Sequence, residues 1–571
     1  MKPARASAYV FGFFTIIAAT AILVASARLK LPLPDEVSRL DALKRTLSDD
    51  PENEEVKNRL RELDAQHRLQ DWEMWNFINF GSWILAASAA GLVISVQIQH
   101  LRCPRRPVPP GAPAPRGESV RRARSATRAV ASMLVLSLGL SAGTAAIVWW
   151  ANRPVEMAPE PVIDVKWTQF RGPGGQGHTD MAVTLEGMQI DFDSQDPALG
   201  WRSRVALPGK SSPVLWGNHL FLTGANERSR KVFAYSAATG RLLWDADIPP
   251  LPEKEGEHFE VEGETGYAAP TGCTDGKRFY AIYTDVTVAA VDFDGNVLWH
   301  RFLGPPHSTY GFSASMIMAD GKLIVQYDQA FDEDDDGNEI PRSRLLALDP
   351  ETGKSVWETK RNVRDSWSSP ILIDTSGGKR IITATDPWVI AYEPVAGKEI
   401  WRVKALGGDM APSPVFDGKK VYVAMDGNGT TAIRVGGKGD VTRTHIAWRN
   451  EKTAEPDTVS PLLVENGLLT VTGGMLNCLD LETGKRLWKH SFDGRGFNSS
   501  PSRVGGGKIL LLDQKGRFYL AEAGKKEFRI LQQFDLGQAC DSTPAFGAGR
   551  IFIRGKRHVF GLKVPGDGFG S

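Results

Sequence analysis

Three long runs without a single charge interrupt the first quarter of the chain. Ala8 to Ala27 is rich in Phe, Ile, Val and Ala. Asn76 to Gln99 is centred on Trp83-Ile84-Leu85, and Ala129 to Ala151 ends in Trp149-Trp150, a pair suited to a membrane interface. At a rise of 1.5 Å per residue, each run can cross a hydrocarbon core of about 30 Å. Soluble helices rarely stay uncharged for so long, so the pattern predicts three membrane spans, within 1–27, 76–99 and 129–151. Between the first two, Leu40, Leu43 and Leu47 repeat at helical spacing, as do Val56, Leu60 and Leu63 after Asp50-Pro51. Residues 28–75 are therefore expected to form a helical hairpin that turns at Asp49-Asp50-Pro51.

From about Trp201 the periodicity shortens and repeats. A small-residue mark, usually followed by Pro, recurs at Ser212-Pro213, Ala269-Pro270, Ala314-Ser315, Ser369-Pro370, Ser413-Pro414, Ser460-Pro461, Ser500-Pro501 and Thr543-Pro544, at intervals of 40 to 57 residues. Short apolar runs such as Val421-Tyr-Val423 and Ile551-Phe-Ile553 follow most of these marks. A second mark then appears, clearest in Leu346-Ala-Leu-Asp-Pro-Glu-Thr-Gly-Lys-Ser-Val-Trp357 and Asn477-Cys-Leu-Asp-Leu-Glu-Thr-Gly-Lys-Arg-Leu-Trp488. Looser copies end at Trp244, Trp299, Trp401 and Trp448.

Such a period, with several short strands in each copy, predicts an all-β propeller of eight blades over 200–565. Each mark has a physical role. Small residues suit the crowded innermost strands, Asp-x-x-Thr-Gly makes a hairpin turn in which Gly supplies positive φ, and Trp fills the wedge between blades. The last copy, at Pro544, is followed by only two strands, Ile551-Phe-Ile553 and Val559-Phe-Gly-Leu-Lys563, whereas Gly200-Trp201-Arg-Ser-Arg-Val205 is a strand with no blade before it. The early strand is expected to complete the last blade and remove the open edge of a linear array. Residues 152–199 are read as linker and lead-in.

Charge then sets the orientation. Lys2 and Arg5 precede the first span. Residues 100–128 carry Arg102, Arg105, Arg106, Arg116, Arg121, Arg122, Arg124 and Arg128 against the single acid Glu118. Positive loops stay cytoplasmic, which places the propeller on the periplasmic side of a bacterial inner membrane, with lipid as the partner of the three spans. Ala25-Ser26-Ala27 resembles a signal-peptidase site, but the apolar run before it is long for a signal, so the span is expected to be retained. The balance of 68 basic and 67 acidic residues argues against a dedicated nucleic-acid surface. The four cysteines, Cys103, Cys273, Cys478 and Cys540, form no C-x-x-C pair, which removes zinc-ribbon, thioredoxin-like and covalent-haem readings.

The Thr-Gly-x-x-x-Trp repeats resemble those of pyrroloquinoline-quinone-type propellers. Trp167-Thr-Gln-Phe-Arg-Gly-Pro-Gly-Gly-Gln-Gly resembles the opening motif of bacterial PQQ-binding-like propeller proteins, and the resemblance covers roughly residues 165 to 565. That family includes quinoprotein dehydrogenases and non-enzymatic propellers, among them the lipoprotein of the outer-membrane assembly machine. The resemblance therefore implies the fold and leaves two functions open. One is a non-catalytic binding or scaffold module with a protein partner in the periplasm. The other is a membrane-bound PQQ-dependent dehydrogenase that passes electrons to the quinone pool. Adjacent cysteines, which many alcohol dehydrogenases of the family place over the quinone, are missing, and no Glu/Asn/Asp calcium set with a catalytic Asp matches here. The scaffold reading is preferred.

Two candidate sites follow from the repeat. Residues just before each innermost strand should crown one channel mouth: Lys210, Tyr267, Phe312, Trp367, Asp409, Asp457, Asn498 and Asp541. Aromatic and acidic groups converging there suit a small polar ligand or a peptide. Separately, Asp332, Asp334 and Asp336, with Gly337 next, match the first half of a calcium loop, though position 12 is Ser343 rather than an acid. The competing reading is a solvated acidic hairpin tip.

Overall fold

The computed structural model describes residues 163–188, 200–249, 261–451, 455–465, 467–524 and 526–565. The chain divides into two units, Met1–Met157 and Ala158–Ser571. The three expected spans, the helical hairpin and the basic loop lie outside the described residues. Among the described residues, no helix is long and apolar enough to cross a membrane.

The second unit is an eight-bladed propeller. Blade 1 runs outward through Val214–Gly217, His219–Ala225, Arg230–Ser236 and Leu242–Ile248, each strand antiparallel to the next. Blades 2 to 7 repeat this order, with innermost strands Cys273–Thr274, Ile317–Ala319, Ile371–Thr375, Val415–Phe416, Leu462–Val464 and Ser502–Val504. Blade 8 is composite. Ala545–Gly547, Arg550–Arg554 and His558–Lys563 come from the end of the chain, and Trp201–Arg204 supplies the outer strand in the register Trp201↔Gly561 to Arg204↔His558. The early strand thus closes the ring as its orphan position required.

The outer strands share one irregularity. In blades 1 to 6, the residue just before the repeat Trp is skipped in the pairing: Ala347 faces Trp357 and Leu348 faces Ser355, for example, which leaves Val356 in a bulge. The same skip precedes Trp244, Trp299, Trp401, Trp448 and Trp488. A bulge bends its strand and re-aims the next side chain. Here, in every one of these blades but blade 4, it aims the indole at the turn of the following blade. Trp299 Nε1 donates to the Pro350 carbonyl at 3.0 Å, Trp357 to Pro394 at 3.2 Å, Trp448 to Leu481 at 2.9 Å and Trp488 to Gly524 at 2.7 Å. The turn glycine is obligatory. Gly484 has φ +69°, and a β-carbon there would run into the Trp448 ring. Blade 5 lacks such a turn. Its longer connection sends Gly439–Asp440 alongside the outer strand of blade 4 and packs Val441 in one cluster with Trp401.

Blade 7 is the exception that shows how the ends are used. Its bulge lies one residue before Gln532, which faces Leu520 where the other blades place Trp. The blade it should meet is the composite one, whose turn is interrupted by the chain ends. Lead-in residues occupy the gap. Gln532 Oε1 accepts from Leu185 N at 2.6 Å and from Thr184 Oγ1 at 3.0 Å, with Val183 and Leu185 buried.

Candidate functional site

The lead-in segment does more than fill that gap. Val165–Trp167 pairs with the inner edge of Val214–Gly217, so this strand lies inside the innermost strand of blade 1. The following residues cross the channel. Thr274 N donates to Thr168 O at 2.9 Å, Phe416 N to Gln176 Oε1 at 3.0 Å and Arg503 N to Gly177 O at 2.8 Å, while Trp167 packs edge-on against Phe546. Arg171 Nη2 donates to the Pro461 carbonyl at 2.7 Å. One short segment therefore bonds to or packs against inner strands of blades 1, 2, 5, 6, 7 and 8, and stops one end of the channel.

Above the stop, the small-residue marks form a closed circuit. Backbone N–H groups of the innermost strands face the channel with no strand to pair with, and each is met by a hydroxyl of the next blade. Ser212 N donates to Thr271 Oγ1, Thr271 N to Ser315 Oγ, Ser315 N to Ser369 Oγ, Ser369 N to Ser413 Oγ, Ser413 N to Ser460 Oγ, Ser460 N to Ser500 Oγ and Ser500 N to Thr543 Oγ1. Thr543 N donates to Ser212 Oγ at 3.0 Å and completes the circle. The preference for hydroxyl residues at this mark is thus the repeat's way of satisfying buried amides. In blade 2 the ring member is Thr271, two residues after the Ala269 mark, and in blade 3 it is Ser315 without a following Pro.

All eight hydroxyl residues line a cavity of about 700 Å³ together with Phe170 of the lead-in segment. Six of the eight mouth residues expected from sequence line it too: Lys210, Trp367, Asp409, Asp457, Asn498 and Asp541. The other two do not. Phe312 is buried in the core between blades 2 and 3, edge-on to Tyr327, and Tyr267 packs against the cluster of blades 1 and 2. Their places at the wall are taken by Glu264, Thr265, Tyr310 and Ser313. The offset has a simple cause. The loops entering blades 2 and 3 differ from the others in length and register, so counting back from the mark picks the wrong side chain.

The wall is polar and asymmetric. Asn498 Nδ2 donates to Asp541 at 2.8 Å, Gln514 Nε2 donates to Asn498 Oδ1 at 2.9 Å, and Lys210 approaches Asp541 at 3.8 Å while also donating to the Glu264 carbonyl. Across the pit, the Trp367 indole donates to Gly311 O at 2.9 Å and meets Tyr310 edge-on. Asp409 and Asp457 lie on the acidic side. Partial burial, then the charges of Asp426, Asp409 and Glu264, hold the Asp457 carboxyl above the ordinary carboxylate range.

The candidate calcium loop is a hairpin tip in which Asp332–Glu333 pairs with Glu339–Ile340. Asp332 bonds to Arg342 at 2.8 Å, and Asp334 accepts from the backbone amides of Asp336 and Asn338 and from the Asn338 side chain. Among the described residues, no group of three metal-ligating side chains is gathered. Among the described residues, Cys273, Cys478 and Cys540 are free and buried.

The profile of the family described as outer membrane protein assembly factor BamB matches residues 186–360 and 341–533. No curated protein matches the chain. Among solved structures, BamB from Moraxella catarrhalis is similar at 14% identity and a TM-score of 0.45, covering 65% of this chain and 98% of that one. A europium-containing methanol dehydrogenase is similar at 13% identity and a TM-score of 0.41, covering 69% and 90%. The Dos1 propeller is similar at 11% identity and a TM-score of 0.45, covering 65% and 96%.

Proposed function

The chain belongs to the family described as outer membrane protein assembly factor BamB, and from that premise we propose that it is a non-catalytic binding propeller, held at the bacterial inner membrane by its three N-terminal spans and facing a protein partner in the periplasm. The observation that carries this reading is the charge of the axial pit. A family member using pyrroloquinoline quinone must hold a flat molecule with three carboxylates. The wall presents four acids, Glu264, Asp409, Asp457 and Asp541, against two lysines, Lys210 and Lys556, and Lys210 already approaches Asp541 and donates to the main-chain carbonyl of Glu264. Repulsion at the mouth opposes a trianion, so the residues present do not fit that cofactor and no oxidation step is derived through it.

Mass spectrometry and absorbance of the purified full chain test the reading. The expected result is no stoichiometric quinone and no dye-linked oxidation of alcohols or sugars, even after quinone is supplied. Stoichiometric quinone with such oxidation would replace the scaffold by the dehydrogenase. Orientation has its own test in Cys103, which lies in the basic loop. In intact cells Cys103 should resist a membrane-impermeant thiol reagent, whereas a cysteine introduced at the exposed propeller position Val395 should react. The opposite pattern would invert the topology.

A further inference from the structure

The acidic wall of the pit and the buried residue packed behind its hydroxyl ring carry opposite charge. Phe170 lines the pit, and Arg171, the next residue, is packed behind that lining and is 0% exposed. Its Nη2 bonds to the carbonyl of Pro461, the residue after ring member Ser460, but its Nε and Nη1 meet no acceptor among the described residues. Its two bonds run to the carbonyls of Pro461 and Gln176, and neither is to a carboxylate. Burial lowers its pKa to about 9, so it remains a cation at neutral pH. Such a charge, removed from water without a counter-ion, is costly and acts strongly through its low-dielectric surroundings. Each ring oxygen accepts one amide, and no acceptor among the described residues takes its own O–H. Neutral O–H donors lining a cavity, with a buried cation packed behind them on the side of Pro461, make a cradle for an anionic oxygen.

The wall reverses the sign, with four acids against Lys210 and Lys556. The Asp409 and Asp457 carboxylates have no basic partner among the described residues, and the edge-packed pair Trp367–Tyr310 stands in the same wall. A free multivalent anion would be repelled on the way in. A dipolar ligand, negative end first, fits both levels. A cavity of about 700 Å³ holds a few residues of extended chain and no folded domain.

We propose that the pit receives the C-terminal end of a basic peptide, with its free carboxylate in the hydroxyl ring in front of Arg171 and its basic side chain against Asp409 and Asp457. This rests on the binding-module reading and names its ligand class. Both ends are charge-assisted hydrogen bonds, the strong kind, and each is geometrically separate from the other.

Calorimetry on the purified full chain tests it with the tripeptide Ala-Lys-Ala as free acid, the same peptide as C-terminal amide, and Ala-Glu-Ala. The free acid with Lys should bind, amidation should weaken it about tenfold or more, and Glu in place of Lys should abolish binding. Asp409→Asn combined with Asp457→Asn should weaken the Lys peptide about tenfold and flatten its salt dependence. Arg171→Gln should erase the difference between acid and amide. Should that variant fail to fold, Ser413→Ala with Ser460→Ala probes the same cradle. Equal binding of acid and amide, acetate binding as tightly as the peptide, or no heat from any of the three peptides would overturn the proposal. None of these outcomes would introduce a quinone, so the binding-module reading fails only on its own test.

Discussion

At the scale of single residues, the hydroxyl ring shows why the repeat keeps Ser or Thr where any small residue would fit. The innermost strands have one edge paired within the blade and one facing the channel, and a buried amide left unpaired costs about 1–3 kcal/mol. Ser413 Oγ accepts the Ser369 amide, and Ser413 N is itself satisfied by Ser460. Ser413→Ala keeps the second bond and removes the first. It should therefore destabilise the propeller by about 1–3 kcal/mol, read from the urea midpoint at unchanged slope. A neutral effect would mean that water enters the channel and replaces the hydroxyl. The cysteines answer a related question about reactivity. Burial pushes the Cys540 and Cys478 thiols up to about 12, so in the folded protein they should stay unlabelled by thiol reagents at pH 8 and react only on unfolding.

At the scale of elements, the turn and the Trp that docks on it form one device. The turn carboxylates are part of it. Asp349 accepts from the Thr352 hydroxyl at 2.9 Å and the Thr352 amide at 2.8 Å, and Asp480 accepts both from Thr483 at 2.8 Å. These bonds, the side-chain one foremost, hold both carboxyls below their ordinary range. A depressed folded pKa stabilises fully above the unfolded value of about 3.9, and the contribution disappears as pH falls through the folded value. The contribution of these two carboxyls should therefore be flat around neutrality and be lost below about pH 4. In Thr352→Val, carbon-detected NMR titration should move Asp349 upward, toward an ordinary carboxylate, and leave Asp480 unchanged.

Much of this level was legible in the chain. The Asp-x-x-Thr-Gly-x-x-x-Trp pattern encodes turn, bulge and wedge in consecutive residues, so local physics suffices to read it. Gln532 was not legible, because its role depends on the lead-in segment arriving from more than 340 residues earlier in sequence. The same distance hid Arg171 and Phe170. Their motif was visible as a resemblance, but nothing local says that it crosses the channel. The six correctly placed mouth residues sit on entry loops of similar length, and Tyr267 and Phe312 failed where the entry loop is longer. Gln532→Ala should free the Leu185 amide and raise its hydrogen exchange while leaving the Trp488 contact region protected. Unchanged protection at Leu185 would show that the Val183 and Leu185 side chains, rather than the hydrogen bond, hold the segment.

At the scale of the whole molecule, the propeller depends on one seam where Trp201–Arg204 pairs with the last blade. Trp201 belongs to the outer strand of blade 8, its Nε1 donates to Ala237 O at 3.2 Å across the seam, and its ring packs against Gly240 of blade 1. Arg554, also of blade 8, reaches the same neighbour through Ser211 Oγ at 2.9 Å and the Leu207 carbonyl at 3.0 Å. Trp201 is 8% exposed and Trp488, inside the continuous part of the ring, is 9% exposed. If the seam is an ordinary blade boundary, both positions bury the same side chain to a similar extent against the next blade. Trp201→Ala and Trp488→Ala should then each cost about 3–5 kcal/mol, a large part of a typical domain stability of about 5–15 kcal/mol. The two effects should add in the double variant, since the sites share no partner. The comparison is made by equilibrium unfolding of the full chain in detergent, followed by propeller Trp fluorescence. A Trp201→Ala cost well below that of Trp488→Ala would show that the ring opens at the seam before it unfolds, leaving the outer edge of Val559 to Lys563 free to pair with another chain.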